Sequence, residues 1–216
     1  MYSSCRSSGT LETTQSPRPA RAGASARGVP ARPAVLPRSV PVQAGPAADS
    51  VLYDASHGLV TLDDVEALRA RVLGVPVLGR YPDDVPDTFS DGRSGGRRHN
   101  ATDIFAPRGT LVLSADDGVI RRLSSNALGG ITIYATDPSD RFVYYYAHLD
   151  GYAPGLEPGQ RVRRGDVLGY VGSTGNAPPT VPHLHFQIMR LLDGERLWDG
   201  IPIDPRPFLQ LPGALR

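Results

Sequence analysis

The chain has little of several features on which whole classes of protein depend. Cys5 is the single cysteine among 216 residues, so an internal disulfide framework and a metal site built on cysteines are both excluded. The 23 basic and 22 acidic residues nearly cancel to a net charge of +1, which leaves no global field to attract nucleic acid or anionic lipid. We therefore expect no nucleic-acid partner, and any bound metal must be held by histidine and carboxylate.

Long apolar runs are also missing. No stretch approaches the roughly 18 to 20 apolar residues of a membrane span, and the N-terminus lacks the apolar centre of a secretory signal. Residues 1–50 are instead rich in Pro, Ala, Arg, Ser and Gly and show no hydrophobic period. This composition predicts a disordered, basic tail or linker without a membrane span or a visible export signal.

A short helix is predicted within residues 51–74, in the stretch TLDDVEALRARVLG. Thr61 and Asp64 have the spacing of a capping box, and Gly74 is a typical stop. The residues spaced for one apolar helical face are Leu62, Val65 and Leu68. We expect this segment to pack against the rest of the fold and to take no part in chemistry.

The remainder of the chain, residues 75–212, alternates short apolar runs with glycine and proline turns. The apolar runs are TLVLSA, GVIRRL, GGITIYA, RFVYYYAHL, VLGYVG and HLHFQIM. That rhythm favours many short strands, so the sequence predicts a mainly β protein built on a compact antiparallel β-sheet domain.

Two histidines lie two residues apart in the last of these runs. Successive side chains on a strand point to opposite faces, so His183 and His185 project to one side while Leu184 and Phe186 project to the other. A solvated strand face also produces this pattern, and an isolated pair indicates little. The pair becomes informative when other ligands accompany it.

Such ligands occur earlier, in GGRRHNATDIF, where Asp103 follows His99 by four residues. A spacing of four returns to the same face in a helix and in an extended strand, so the two side chains can converge in either conformation. Alone, however, this spacing is more typical of a polar loop with an incidental histidine and a capping aspartate. Combined with one member of the histidine pair, however, it gives two imidazoles and one carboxylate, the three-ligand set of catalytic zinc sites. His148, at the end of an aromatic strand, and the other member of the pair then supply imidazoles suited to proton transfer near neutrality.

These stretches together resemble the lysostaphin-type zinc metallopeptidases, bacterial enzymes that cut peptide cross-links in peptidoglycan. The resemblance runs from about Val75 to Leu211. It is carried by H-x-x-x-D, H-x-H and the ordered stretches DIFAPRGTLVLSADDGVI, YAHL, GQRVRRGDVLGYVGSTGNAPPTVPHLHFQI and PIDPRPFL. A departure is Asn100-Ala101, where the family often has glycine.

The resemblance implies a zinc endopeptidase that hydrolyses stem peptides or cross-links of peptidoglycan with one zinc ion per chain. His99, Asp103 and His185 would bind the metal, while His148 and His183 would act on the water as general base and transition-state stabiliser. It further implies a monomer that works in the periplasm, in the cell envelope or outside the cell. Of Tyr144, Tyr145 and Tyr146, alternate members should be buried in the core.

Two other interpretations are compatible with parts of the sequence. The same fold serves non-enzymatic modules that bind cell walls or regulate other hydrolases, but those usually lose metal ligands that this chain keeps. The hairpin GQRVRRGDVLGYVG resembles that of biotinyl or lipoyl carriers, yet it has no lysine at the turn to carry the group.

Overall fold

A computed structural model describes residues 60–194 and 196–216. The predicted tail, residues 1–50, lies outside the described residues, as does most of the segment 51–74 before the helix. The proposed division of the chain into tail, helical segment and catalytic domain therefore stays a prediction.

The described chain contains one α-helix, eleven β-strands and short 3₁₀ turns. The helix α1 spans Leu62–Arg71, and the 3₁₀ turns span Pro82–Asp84, Ser94–Gly96 and Arg206–Phe208. The strands are β1 Leu73–Gly74, β2 Thr102–Phe105, β3 Leu111–Leu113, β4 Gly118–Asn126, β5 Gly130–Thr136, β6 Phe142–Tyr152, β7 Arg161–Val162, β8 Val167–Val171, β9 His183–Arg190, β10 Ile201–Ile203 and β11 Leu209–Leu211.

The predicted helix begins as expected, with a capping box. The Thr61 side chain accepts from the backbone N–H of Asp64, and the Asp64 carboxylate accepts from Thr61. The predicted stop at Gly74 is wrong: α1 ends at Arg71, where Val72 takes a left-handed conformation, and Gly74 belongs to β1. A β-branched residue rarely occupies that region, so a helix end at Val72 was not predictable from the sequence.

The apolar face of α1 is narrower than predicted. Val65 and Leu68 are buried, but Leu62 is 69% exposed. In place of a third apolar contact, Asp64 is buried and accepts hydrogen bonds from the guanidiniums of Arg141 and Arg190. The helix is therefore attached to β9 and to the residue that precedes β6 by an ionic network, as well as by apolar packing.

The main sheet is antiparallel and has nine strands, which confirms the predicted fold class. Its continuous order is β10-β9-β6-β5-β4-β7, while β2 pairs with β9 and β8 pairs with both β6 and β3. A separate pair, β1 with β11, is parallel and joins the two ends of the described chain. The long strand β6 contacts β5, β9 and β8 in turn, so it connects the two halves of the sheet.

Alternation along the central strands separates a core face from a groove face. Leu184 and Phe186 on β9 are fully buried, as are Tyr144 and Tyr146 on β6, and Tyr145 between them faces the other side. The predicted alternation of the three tyrosines is thus confirmed. Over the part of the chain that the structure describes, no helix combines the length and apolarity needed to cross a bilayer.

Candidate metal centre

Strand register brings two of the three predicted ligands, Asp103 and His185, together. In the β2–β9 pair Asp103 lies directly opposite His185, and on the other side of β9 His185 lies opposite Ala147 of β6. Residues paired in this way have side chains on the same face, a few ångströms apart. The small Ala147 leaves room above the sheet at this point, beside the carboxylate and the imidazole.

His99 reaches the same point from a loop, by a route that the sequence did not predict. The spacing of four was expected to converge in a helix or an extended strand, whereas the chain turns sharply at Asn100, which has φ 56°. Asparagine tolerates this left-handed region better than most residues, so the turn does not require glycine. Backbone hydrogen bonds from His99 to Asp91 and from Asn100 to Phe89 hold the turn.

Three ligand atoms form a tight triangle. His99 Nε2 lies 2.9 Å from Asp103 Oδ1 and 3.0 Å from His185 Nδ1, and His185 Nδ1 lies 3.1 Å from Asp103 Oδ1. His99 Nδ1 lies 2.8 Å from the carbonyl oxygen of Thr88, so this nitrogen carries the proton and Nε2 presents a lone pair. Lone pairs that converge at such distances need a proton or a cation between them.

The donor set fits a zinc ion. Tetrahedral zinc has bonds of about 2.0–2.2 Å to nitrogen and oxygen, which separates neighbouring ligand atoms by about 3.3 Å, a few tenths of an ångström more than here. The second carboxylate oxygen of Asp103 accepts from Arg93 Nη2 at 2.7 Å, leaving Oδ1 for the cluster. Histidine and carboxylate ligands with partners of this kind are typical of zinc centres.

A β-bulge directs His148 into the groove. Between Tyr146 and Leu149, β6 inserts one more residue than β5 opposite, and His148 takes φ 61°. The backbone N–H of His148 donates to Gly129 at 2.7 Å and its Nδ1–H donates to the Thr174 carbonyl at 2.8 Å. Bulges next to active sites re-aim a side chain, and a non-glycine residue in this region is strained, which points to a functional role.

The glycines around His148 are required by close backbone packing. Gly130 has φ 65°, and a Cβ there would collide with the backbone at Thr174 and Gly175. A Cβ on Gly175 would in turn collide with the backbone near Gly130. The two loops that hold His148 can therefore approach each other only because both positions lack side chains.

His183 is oriented in the same way as His148. Its Nδ1–H donates to the Val181 carbonyl at 2.8 Å, and its Nε2 lies 3.8 Å from Asp103 Oδ1. The rings of His148 and His183 are 5.0 Å apart, and that of Phe105 packs at 5.7 Å from His183. His183 thus directs Nε2 toward the triangle and shares a face with His185 as predicted, and the ring of His148 lies 5.6 Å from that of His185.

The electrostatics of the cluster follow from burial and hydrogen bonding. Burial raises the pKa of Asp103, but hydrogen bonds with His185 and His99 outweigh it and hold the pKa well below its usual range. Burial lowers the pKa of His148 to about 4, although its bond to Thr174 favours the charged form. Burial also lowers the pKa of His185. His148 is therefore neutral at pH 7.

All five predicted residues line one groove of about 530 Å³. Sequence reasoning missed other contributors: Arg93, which binds Asp103, and the carbonyls of Thr88, Thr174 and Val181, which orient three histidines. Every residue has a carbonyl, so no sequence pattern could identify these three. Tyr145, whose ring lies 6.0 Å from that of His185, also lines the groove.

A mainly β fold that brings two histidines and an aspartate to one point defines a candidate metal centre, and sequence comparison identifies the family. A family model described as "Peptidase family M23" matches residues 97–205, which contain the whole constellation. The chain belongs to this family, which confirms the resemblance seen in the motifs.

Individual relatives are similar over the same region. The L-Ala–D-Glu endopeptidase of Bacillus subtilis is 40% identical over 130 residues, covering 57% of this chain and 38% of that protein. The glycyl-glycine endopeptidase ALE-1 of Staphylococcus capitis is 34% identical over 119 residues, covering 55% of this chain and 31% of that protein. The chain thus spans well under half the length of these two relatives.

A solved structure supports the fold. The crystal structure of a Ruminococcus gnavus protein assigned as a glycyl-glycine endopeptidase, lytM, superimposes with a TM-score of 0.56 at 28% identity. The match covers 70% of this chain and 66% of that one.

Proposed function

We propose that this protein is a zinc-dependent endopeptidase that hydrolyses peptide bonds of bacterial peptidoglycan. The observation that carries the proposal is the convergence of three metal-ligand atoms beside two histidines whose Nε2 atoms are left for a substrate. Membership of peptidase family M23 and the endopeptidase names of the relatives support the same conclusion.

In this proposal His99, Asp103 and His185 hold one zinc ion per chain. Zinc, when bound, acts as a Lewis acid that makes a water molecule more acidic and polarises the carbonyl of the scissile bond. Arg93 and the Thr88 carbonyl keep Asp103 and His99 in their ligand orientations.

The two remaining histidines divide the proton chemistry. His148 is neutral at pH 7 and has its proton on Nδ1, so its Nε2 accepts a proton from the attacking water and later returns it to the leaving amine. His183, whose ring lies 5.0 Å from that of His148, faces the oxyanion that develops on the carbonyl and stabilises it. The carbonyls of Thr174 and Val181 hold both rings in place for these transfers.

Peptidoglycan as the substrate implies where the protein works. We infer action outside the cytoplasm, in the periplasm, in the cell envelope or in the medium. Cell fractionation with an antibody to the protein tests this, and retention of the whole pool in the cytoplasmic fraction would contradict it.

The activity is tested by incubating the zinc-loaded protein with purified sacculi and identifying released fragments by mass spectrometry. Release should stop with a zinc chelator and resume with added zinc. The matched control is His148→Ala, which should keep one zinc per chain and release nothing. A zinc-loaded wild-type protein that releases no fragments from any sacculus would favour a non-enzymatic wall-binding module.

A further inference from the structure

The β-bulge that carries His148 is bridged by a side chain from another loop. In the β5–β6 ladder Ile131 lies opposite Leu149, at the edge of the bulge. The hydroxyl of Thr174 accepts a hydrogen bond from the N–H of Ile131 at 3.0 Å and donates one to the Leu149 carbonyl at 2.7 Å. One hydroxyl therefore joins the two strands where β6 inserts its extra residue.

The main chain of the same residue contacts the imidazole of His148. The Thr174 carbonyl accepts from His148 Nδ1–H at 2.8 Å. Because the carbonyl and the hydroxyl belong to one residue, the bonds that hold the hydroxyl between the strands also fix the carbonyl that orients the ring. Two residues earlier, the Gly172 carbonyl accepts from the N–H of His183 at 3.2 Å, so this loop contacts both histidines.

The backbone at the bulge depends on such support. His148 has φ 61°, a conformation that is unfavourable for a residue with a side chain and persists only where the surroundings hold it. The N–H of His148 donates to the Gly129 carbonyl at 2.7 Å, and Thr174 adds three further hydrogen bonds at the bulge. Loss of the hydroxyl removes two of these three, so the loop is no longer fixed to the strands.

We infer that the side-chain hydroxyl of Thr174 is a positioning group for His148 in the proposed hydrolysis. It holds the bulge of β6 and the carbonyl that orients the ring, and it thereby places Nε2 of His148 for proton transfer. Thr174 is not among the described residues that line the groove, so it acts through His148 and not on the substrate. The inference rests on the proposed function and makes it more specific.

Two substitutions isolate the hydroxyl. Thr174→Val puts a methyl group in its place and removes both of its hydrogen bonds, whereas Thr174→Ser keeps the hydroxyl. In the zinc-loaded full chain, Thr174→Val should lower kcat on a peptide substrate by about tenfold or more, because a displaced base loses its alignment. KM should stay unchanged, since the groove wall keeps the bond from the Asn176 N–H to the Leu128 carbonyl at 3.0 Å. Serine should restore most of kcat.

Thr136→Val is the matched control. Thr136 lies at the other end of β5, where its hydroxyl donates to Asp140 at 2.6 Å and accepts from Arg121 at 2.8 Å. The control thus also loses two hydrogen bonds on β5, and it should keep the kcat and KM of the wild type. Zinc content and thermal unfolding are measured for each variant. If Thr174→Val does not fold, Thr174→Ala takes its place, because it removes the hydroxyl without setting a methyl group against the Leu149 carbonyl.

Nuclear magnetic resonance gives a readout that does not depend on turnover. In zinc-loaded protein labelled with ¹⁵N at histidine, the Nδ1–H of His148 should give a resonance protected from exchange with water by its bond to Thr174. Its absence from His148→Ala assigns it. The resonance should be lost by exchange in Thr174→Val and retained in Thr174→Ser and Thr136→Val.

Loss of both kcat and the resonance in Thr174→Val, with recovery in Thr174→Ser, supports the inference. Retention of either one in the valine variant overturns it and leaves the endopeptidase function standing, and so does an equal loss in the valine and serine variants. A wild-type protein that shows the resonance but cleaves no peptide overturns the proposed function. The resonance of the valine variant then decides alone whether the hydroxyl positions His148.

Discussion

Replacing His148 by glycine should preserve the fold and abolish turnover. The residue has φ 61°, a conformation that costs about 1–2 kcal/mol for residues with a side chain and little for glycine. The variant loses the hydrogen bond from Nδ1 to Thr174, which contributes about 1 kcal/mol. Because these effects oppose each other, the free energy of unfolding should change little.

Alanine at the same position separates the two effects. The variant His148→Ala loses the hydrogen bond but keeps the strained backbone. Glycine gains about 1–2 kcal/mol from relief of strain and loses about 0.5–1 kcal/mol through the greater freedom of its unfolded chain. The free energy of unfolding of the glycine variant, measured by chemical denaturation, should therefore exceed that of the alanine variant by about 0.5–1 kcal/mol.

Turnover should respond differently from stability. Loss of a general base lowers kcat by about 10²- to 10⁴-fold, or about 3–5 kcal/mol of activation free energy, in both variants. The assay is kcat on a peptide substrate with zinc content measured in parallel. A glycine variant that keeps zinc and at least a tenth of wild-type kcat would refute the assignment of His148 as the base. A glycine variant less stable than the alanine variant would refute the reasoning about strain.

Three further expectations concern the metal, the loops and pH. His185→Ala should lose zinc, while His183→Ala should keep zinc and lose turnover. Elemental analysis measures the zinc content of both variants, and equal zinc content would contradict the division of roles. Gly130→Ala should keep zinc but lower kcat by about tenfold or more, because its Cβ displaces the Thr174 loop that orients His148; an unchanged kcat would contradict this. Burial raises the pKa of Asp64, but hydrogen bonds from Thr61, Arg141 and Arg190 lower the pKa from 3.8 to about 2. The ionised carboxylate therefore stabilises the folded protein by about 2 kcal/mol above pH 4. This contribution is lost as the pH falls toward 2. The difference in unfolding free energy between wild type and Asp64→Asn should shrink over that range, and a constant difference would count against the ionic network.

The sequence predicted those parts of the site that depend on local periodicity. His183 and His185 share a face of β9 because alternation on a strand is a local rule, and burial of Leu184 and Phe186 fixes that face. The register that places Asp103 opposite His185 was not predictable, because it joins residues far apart in the chain and depends on how β2 pairs with β9. The residues of the candidate metal centre were thus available from the sequence, and their contacts were not.

The bulge at His148 was hidden for a related reason. Simple alternation along FVYYYAHL places Tyr144, Tyr146 and His148 on one face, which is the core face. One inserted residue between Tyr146 and Leu149 interrupts the alternation of side chains along β6, so His148 faces the groove. A bulge depends on the partner strand β5 and on the approach of two glycine loops, and neither is contained in the local sequence.

The orientation of the histidines shows how the fold supports the chemistry without further special residues. Three of the histidines, His99, His148 and His183, donate a hydrogen bond from Nδ1–H to a main-chain carbonyl. In each ring this leaves Nε2 as the reactive nitrogen. A carbonyl oxygen is fixed by the backbone and does not titrate, so it keeps the hydrogen on Nδ1 of each neutral ring. A side-chain carboxylate in the same place would also have held the rings, but it would have stabilised the charged form of His148 and raised its pKa above the value of about 4, leaving less of the ring neutral and free to accept a proton at a given pH.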